Sequence, residues 1–120
     1  MADEITIAQS LTATKTGSGS VSTPRIAFQA SMVGSNLVGG LTQDVGTSEE
    51  TVGFGDISGA PAWVVIKNLD ATNFVQLGAS GFAGFTIKLK AGQSASFATA
   101  LTPLYAKADT ASVRIQIWAG

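Results

Sequence analysis

The sequence predicts an all-β fold, an antiparallel β-sandwich or jelly-roll-like barrel of about seven or eight strands. Three observations predict it. Apolar residues recur with a period of two along most of the chain, the spacing that puts alternate side chains on one face of a strand. Turn-forming Gly, Asn and Asp punctuate these runs at short intervals. No window holds a sustained helical stripe, and the abundant Thr and β-branched residues favour sheet.

Taken in order, ITIAQSLTAT (5–14) places Ile5, Ile7 and Leu11 on one face against a row of Thr and Ser. TGSGS (16–20) turns the chain, and RIAFQASM (25–32) repeats the alternation with Ile26, Phe28 and Met32. VGSN (33–36) and VGG (38–40) are further turns. In SEETVGF (48–54), Thr47 or Ser48 is placed to cap one helical turn, with Glu49 or Glu50 favourable against its dipole, before Gly53 ends it. FGDISGAP (54–61) turns again and marks a weak compositional boundary. WVVIK (63–67) is apolar on both faces, as in a central strand covered on two sides. NLDATN (68–73) then turns and FVQLG (74–78) runs back, which predicts a hairpin.

After the glycine-rich loop GASGFAG (78–84), FTIKLK (85–90) puts Phe85, Ile87 and Leu89 on one face, a half-buried strand. KAGQ (90–93) turns the chain, ASFAT (95–99) and PLYAK (103–107) are short strands, and ASVRIQIW (111–118) alternates Val113, Ile115 and Ile117 with polar residues. One domain is expected over residues 1–120, with 1–24 as an extended N-terminal arm. A chain of 120 residues buries roughly two-thirds of its unfolded surface, enough for an independent core.

Seven basic and eight acidic residues leave a net charge of −1 with no run of like charges. Nucleic-acid binding rests on a basic patch, so no such partner is expected. The charged fraction of 12% is about half of what soluble domains usually carry. Small neutral polar residues take the place of charge, as suits a chain packed against neighbours. MADEITIAQS is no secretory signal, and the longest bulky apolar run, PAWVVI (61–66), is far short of the ~20 residues that span a bilayer. Synthesis in the cytosol, with no membrane partner, is the expectation.

Histidine and cysteine are absent, which excludes Ser-His-Asp and Cys-His catalysis and imidazole or thiolate metal sites. Carboxylate pairs remain as a route to chemistry. Glu49 and Glu50 are adjacent, however, and point to opposite faces of a strand, while pairing of Asp56 with Asp70 depends on the fold. The glycines of VGFGDISG match neither the dinucleotide nor the phosphate-loop spacing. In NLDATN, Asp70 is the sole carboxylate, too few for a tight calcium site. Asn68, Asp70 and Asn73 are assigned instead to closing a turn through bonds from side chain to backbone. Phe82, in its glycine-rich loop, is the candidate exposed contact, for a neighbouring subunit or a stacked sugar. No catalytic, metal or cofactor-binding residue is expected.

Four stretches carry a resemblance: VGTSEETVGFGDIS (45–58), NLDATNFVQLG (68–78), LKAGQ (89–93) and LYAKAD (104–109). Together they resemble small proteins encoded among the structural genes of tailed bacteriophages. The likeness covers the second half of the chain well and the first half loosely. It implies a virion structural protein: a capsid decoration or cement protein bound to the major capsid protein, or a small tail, neck or receptor-binding module. It also implies a homo-oligomer, with a trimer favoured.

Overall fold

A computed structural model describes residues 4–17, 19–31, 37–55, 57, 61–82, 86–98 and 103–120. The predicted turn at 33–36, Met32, Asp56 and Phe85 lie outside the described residues. The chain is all-β and forms two compact units, residues 1–31 and 32–120.

The first unit is one long two-stranded ribbon. β1 (Glu4–Gln9) pairs antiparallel with β4 (Ile26–Ser31), and β2 (Thr12–Lys15) with β3 (Gly19–Ser22). Between the two ladders the Leu11 and Thr23 backbones stay bonded, Thr23 N–H donating to Leu11 O at 2.8 Å, while the Thr23 hydroxyl accepts from Leu11 N–H at 2.9 Å. Gln9 pairs with Ile26 and Leu11 with Thr23, so the returning strand holds one extra residue at Pro24–Arg25. A proline has no N–H to give a ladder, and a bulge is where one is tolerated. Gly17 and Gly19, at φ 80° and 90°, form the tight reversal. Opposed residues share a face, so Ile5 with Ala30, Ile7 with Phe28 and Ala13 with Val21 make one side apolar.

The second unit is a two-sheet sandwich. Its strands are β5 (Val38–Val45), β6 (Glu50–Thr51), β7 (Val64–Asn68), β8 (Val75–Gly78), β9 (Thr86–Leu89), β10 (Ser94–Phe97), β11 (Tyr105–Ala108) and β12 (Val113–Ala119). One sheet has the order β10-β7-β12-β5, the other β6-β11-β8-β9, all pairs antiparallel. Their facing sides build one core. Val64, Ile66, Val113, Ile115 and Ile117 from the first sheet meet Val75, Leu77, Leu89, Ala106 and Ala108 from the second. The alternation that predicted strands at 85–90 and 111–118 is the alternation that fills this core.

Among the described residues there are twelve strands, against the seven or eight expected: the ribbon holds four where two were expected, VGG (38–40), expected as a turn, opens the eight-residue strand β5 with its bulge glycine, and the two-residue β6 was not recognisable from its sequence. The helical turn expected near 48–54 does not form: Glu50–Thr51 is strand, paired with Ala106 and Tyr105. A cap without a following apolar stripe leaves nothing to hold a helix. The hairpin expected across 68–73 is also absent, since β7 and β8 lie in different sheets. The hairpin within a sheet comes one strand later, β8 to β9. β7 is interior to its sheet, but only its inner face is fully buried: Val64 and Ile66 are inaccessible, whereas Trp63 and Val65 on the outer face are half-buried.

One β-bulge shapes the outer sheet edge. Ile117 faces Leu41 and Trp118 faces Gly39, leaving Gly40 as the extra residue, at φ 84°. A Cβ there would lie 3.0 Å from Gln116 Nε2, which donates to Gly40 O at 3.3 Å. Gly40→Ala is therefore expected to cost about 1–2 kcal/mol through left-handed strain. Urea denaturation followed by tryptophan fluorescence checks this.

Candidate functional site

The polar stretch 68–73 crosses from one sheet to the other. Two further crossings lie beside it, 90–93 between β9 and β10 and 109–112 between β11 and β12. The Asn68 backbone binds the first of them, its N–H donating to Gln93 O at 2.9 Å and its carbonyl accepting from Gly92 at 3.2 Å. Its side chain, fully buried, does more. Nδ2 donates to Asn73 O at 2.9 Å and Leu89 O at 3.0 Å, and Oδ1 accepts from Asp70 N–H at 2.8 Å. Two carbonyls on one side and an N–H on the other define which atom is nitrogen.

Asp70 and Asn73 complete the corner. Asp70 Oδ2 accepts from Asn73 N–H at 2.7 Å, Thr72 N–H at 3.0 Å and the Thr72 hydroxyl at 3.4 Å. The Asn73 side-chain oxygen accepts from the Thr110 hydroxyl at 3.3 Å, and Phe74 O accepts from Asp109 N–H at 3.1 Å. Lys88 Nζ sits 4.1 Å from the centroid of the Phe74 ring. Three of the four stretches that carry the resemblance, 68–78, 89–93 and 104–109, thus meet at one end of the sandwich. Asn68 Oδ1, Asp70 Oδ2 and Asn73 Oδ1 are engaged in holding that end together.

The N–H groups of Asn73 and then Thr72 hold the Asp70 carboxyl below its ordinary value of 3.8, against a smaller opposing effect of desolvation. The folded state therefore binds this proton less readily than the unfolded state. The resulting stabilisation is complete above the ordinary value and is lost as pH falls from there through the lower folded value. Asp44, held low by the Arg114 guanidinium 2.9 Å away, loses its contribution in the same acid window. In an Asp44→Asn background, Asp70→Asn is expected to flatten the remaining decline of melting temperature below pH 4. Added calcium is expected to leave the melting temperature unchanged, and a clear rise would mark a cation site here. Among the described residues, no three carboxylates are grouped to hold a metal ion.

Glu49 and Glu50 diverge. Glu49 accepts from the Ser80 hydroxyl at 3.1 Å and from Gly81 N–H, pinning the short 3-10 turn Ser80–Phe82. Glu50 accepts from Gly46 N–H at 3.0 Å and from Gln43 Nε2 at 3.2 Å. Gln43 also donates to Thr51 O and accepts from Gly53 N–H, at 2.9 and 2.8 Å, and so laces β5 at the rim of one sheet to β6 at the rim of the other. Phe82 is half-buried rather than exposed, and at φ 51° it is the non-glycine residue with left-handed backbone among those described. Its N–H donates to Ala79 O at 3.0 Å and its carbonyl accepts from the Thr86 hydroxyl at 3.1 Å, which together hold the loop.

Large apolar side chains are exposed in both units, Leu69 of the corner itself, Leu37 and Leu41 among them. On the ribbon, Leu11 is 57% exposed, Val21 67%, Ile26 45% and Phe28 37%. A shallow depression beside the bulge is lined by Gln9, Ser10, Leu11, Thr23 and Ile26. On the sandwich, Trp118 projects from the outer face next to Val65, with Gly39 opposite it. Trp63 lies on that face too, its indole N–H donating to Ser96 Oγ at 2.6 Å. Alternation already sets Trp118 on the face of Arg114 and Gln116, but the reading of WVVIK as covered on both sides missed this outer face. The missed signal was Val65, since Trp63, Val65 and Lys67 share a face whose last member is charged. No family model, curated protein or solved structure matches the chain.

Proposed function

We propose that the chain is a non-enzymatic structural subunit of a bacteriophage particle, a capsid decoration or cement protein that binds the surface lattice of the major capsid protein. The observation that carries this reading is the division of labour between side chains. Polar groups at the sandwich end are spent on the fold, while large apolar groups lie exposed along the ribbon. A protein that works by being assembled needs the second and has no use for a free cluster of titratable groups. The stretches at 45–58, 68–78, 89–93 and 104–109 that resemble phage structural proteins point the same way. On this reading the protein is made in the host cytoplasm, resides in the virion, uses no cofactor, and acts as a homo-oligomer, a trimer being the form the resemblance favours.

Mass spectrometry of purified particles is expected to find the chain in stoichiometric amount, and recombinant protein is expected to bind particles that lack it. Absence from the particle together with failure to bind either capsids or tails would overturn the proposal. A second reading, a receptor-binding tail or neck module that grips carbohydrate, draws on Trp118, a residue 37% exposed on an outer sheet face. A glycan array with hits that vanish on Trp118→Ala would favour it, and an empty array with unchanged host-cell binding would remove it.

A further inference from the structure

We propose that the ribbon edge formed by β1 and β2 pairs antiparallel with the same edge of a second copy of this chain, making one four-stranded sheet across a two-fold axis. A two-stranded ribbon is marginal in water, and further strands are what make such a sheet hold. The two edges of this ribbon are not alike. Along the returning strands, Pro24 lacks an N–H and sits with Arg25 in the bulge, features that stop another strand from adding. Along the first strands, residues 5–14 contain no proline, glycine or charge. Among the described residues no strand bonds to that edge. The edges of the sandwich are shorter or bent: β9 and β10 have four residues each, β6 has two, and β5 carries the Gly40 bulge.

The backbone selects the partner. Leu11 turns both its N–H and its carbonyl toward Thr23. Successive residues of a strand alternate in direction, so Thr6, Ala8, Ser10, Thr12 and Thr14 turn theirs outward, and all five are exposed. A strand that bonds here must offer outward groups at every second residue over the same length, with its apolar side chains on the matching face. The same edge of a second copy meets both requirements. A two-fold axis at Gln9 opposes Thr6 with Thr12 and Ala8 with Ser10 as bonded pairs, and it sets Ile7 beside Leu11 and Ile5 beside Ala13 on the apolar face. Moving one strand by one residue sets outward groups against inward ones, and moving it by two sets Gln9 against Ile7 or Leu11. Ile7 is 6% exposed and Leu11 57%, so this register extends covered apolar surface onto an open residue. The contact is isologous, and the Pro24 bulge guards both outer edges of the resulting sheet, so growth stops at two copies. Being two-fold, it is separate from any threefold contact.

Sedimentation velocity of the purified full chain is expected to show a dimer, weakened at least about tenfold by Ala8→Pro, which removes an outward N–H and leaves the ladder to β4 intact. Because the chain has no cysteine, single-cysteine variants test the register independently. Gln9→Cys meets itself at the close approach of a pair without mutual hydrogen bonds and is expected to form disulfide-linked dimers, whereas Val21→Cys on the guarded strand is not. A wild-type chain that stays monomeric at its solubility limit would overturn the pairing, and so would equal cross-linking of the two cysteine variants. The sample is the isolated chain, so this contact and the virion reading stand or fall separately.

Discussion

Asn68→Asp is expected to cost about 3–5 kcal/mol at neutral pH, the range for a buried charge without a partner. The substitution changes one atom, yet it reverses the chemistry of the corner. The amide nitrogen donates to the carbonyls of Asn73 and Leu89, and a carboxylate oxygen in its place meets two acceptors at 2.9 and 3.0 Å. The new acid is driven toward its protonated form, its folded pKa lying above the unfolded value near 4. The folded state then binds the proton more tightly, so the variant is closest to wild type in acid and loses stability as pH rises. Asn68→Ala removes the charge problem but orphans two carbonyls and the Asp70 N–H, for about 2–3 kcal/mol. Denaturant titration at pH 4 and pH 7 separates the two, since only the aspartate variant should show the pH-dependent difference.

Leu77→Ala is expected to cost about 3 kcal/mol. Leu77 is inaccessible to solvent, pairs across β8 with Ala106 on one side and Ile87 on the other, and projects into the space between the sheets. Ala106 is small and leaves little to collapse into a void. With total stabilities of about 5–15 kcal/mol for such domains, the loss is a large share. If Leu77→Ala left the unfolding midpoint unchanged, the two sheets would not pack through this residue.

Much of this fold is legible in period-two alternation. Val113, Ile115 and Ile117, like Ile87 and Leu89, announce both their strand and its buried face. What alternation cannot reveal is which sheet a strand joins. WVVIKN, a polar turn and NFVQLG look like a hairpin, because a hairpin and a sheet-to-sheet corner use the same turn-forming residues. The difference is made by Asn68 reaching Leu89 O, 21 positions away, and no local signal records that bond. The turn role of Asn68, Asp70 and Asn73 follows from local chemistry, and the hydrogen bonds display it. Phe82 looked exposed because glycines surround it, but Glu49, 32 positions from Gly81, fixes its loop. The ribbon is the converse case. Alternation on both sides of TGSGS implies paired strands, and the register places Ile7 with Phe28 and Ala13 with Val21. How open that face is depends on everything packed around it, which sequence pattern does not encode.

A cryo-electron microscopy map of the assembled particle tests the structural-subunit role most directly. The role predicts density for a sandwich of two four-stranded sheets at symmetry-related positions on the coat, with a two-stranded ribbon engaged in contacts between subunits. A complete map of the particle in which every density is accounted for by other chains would contradict it.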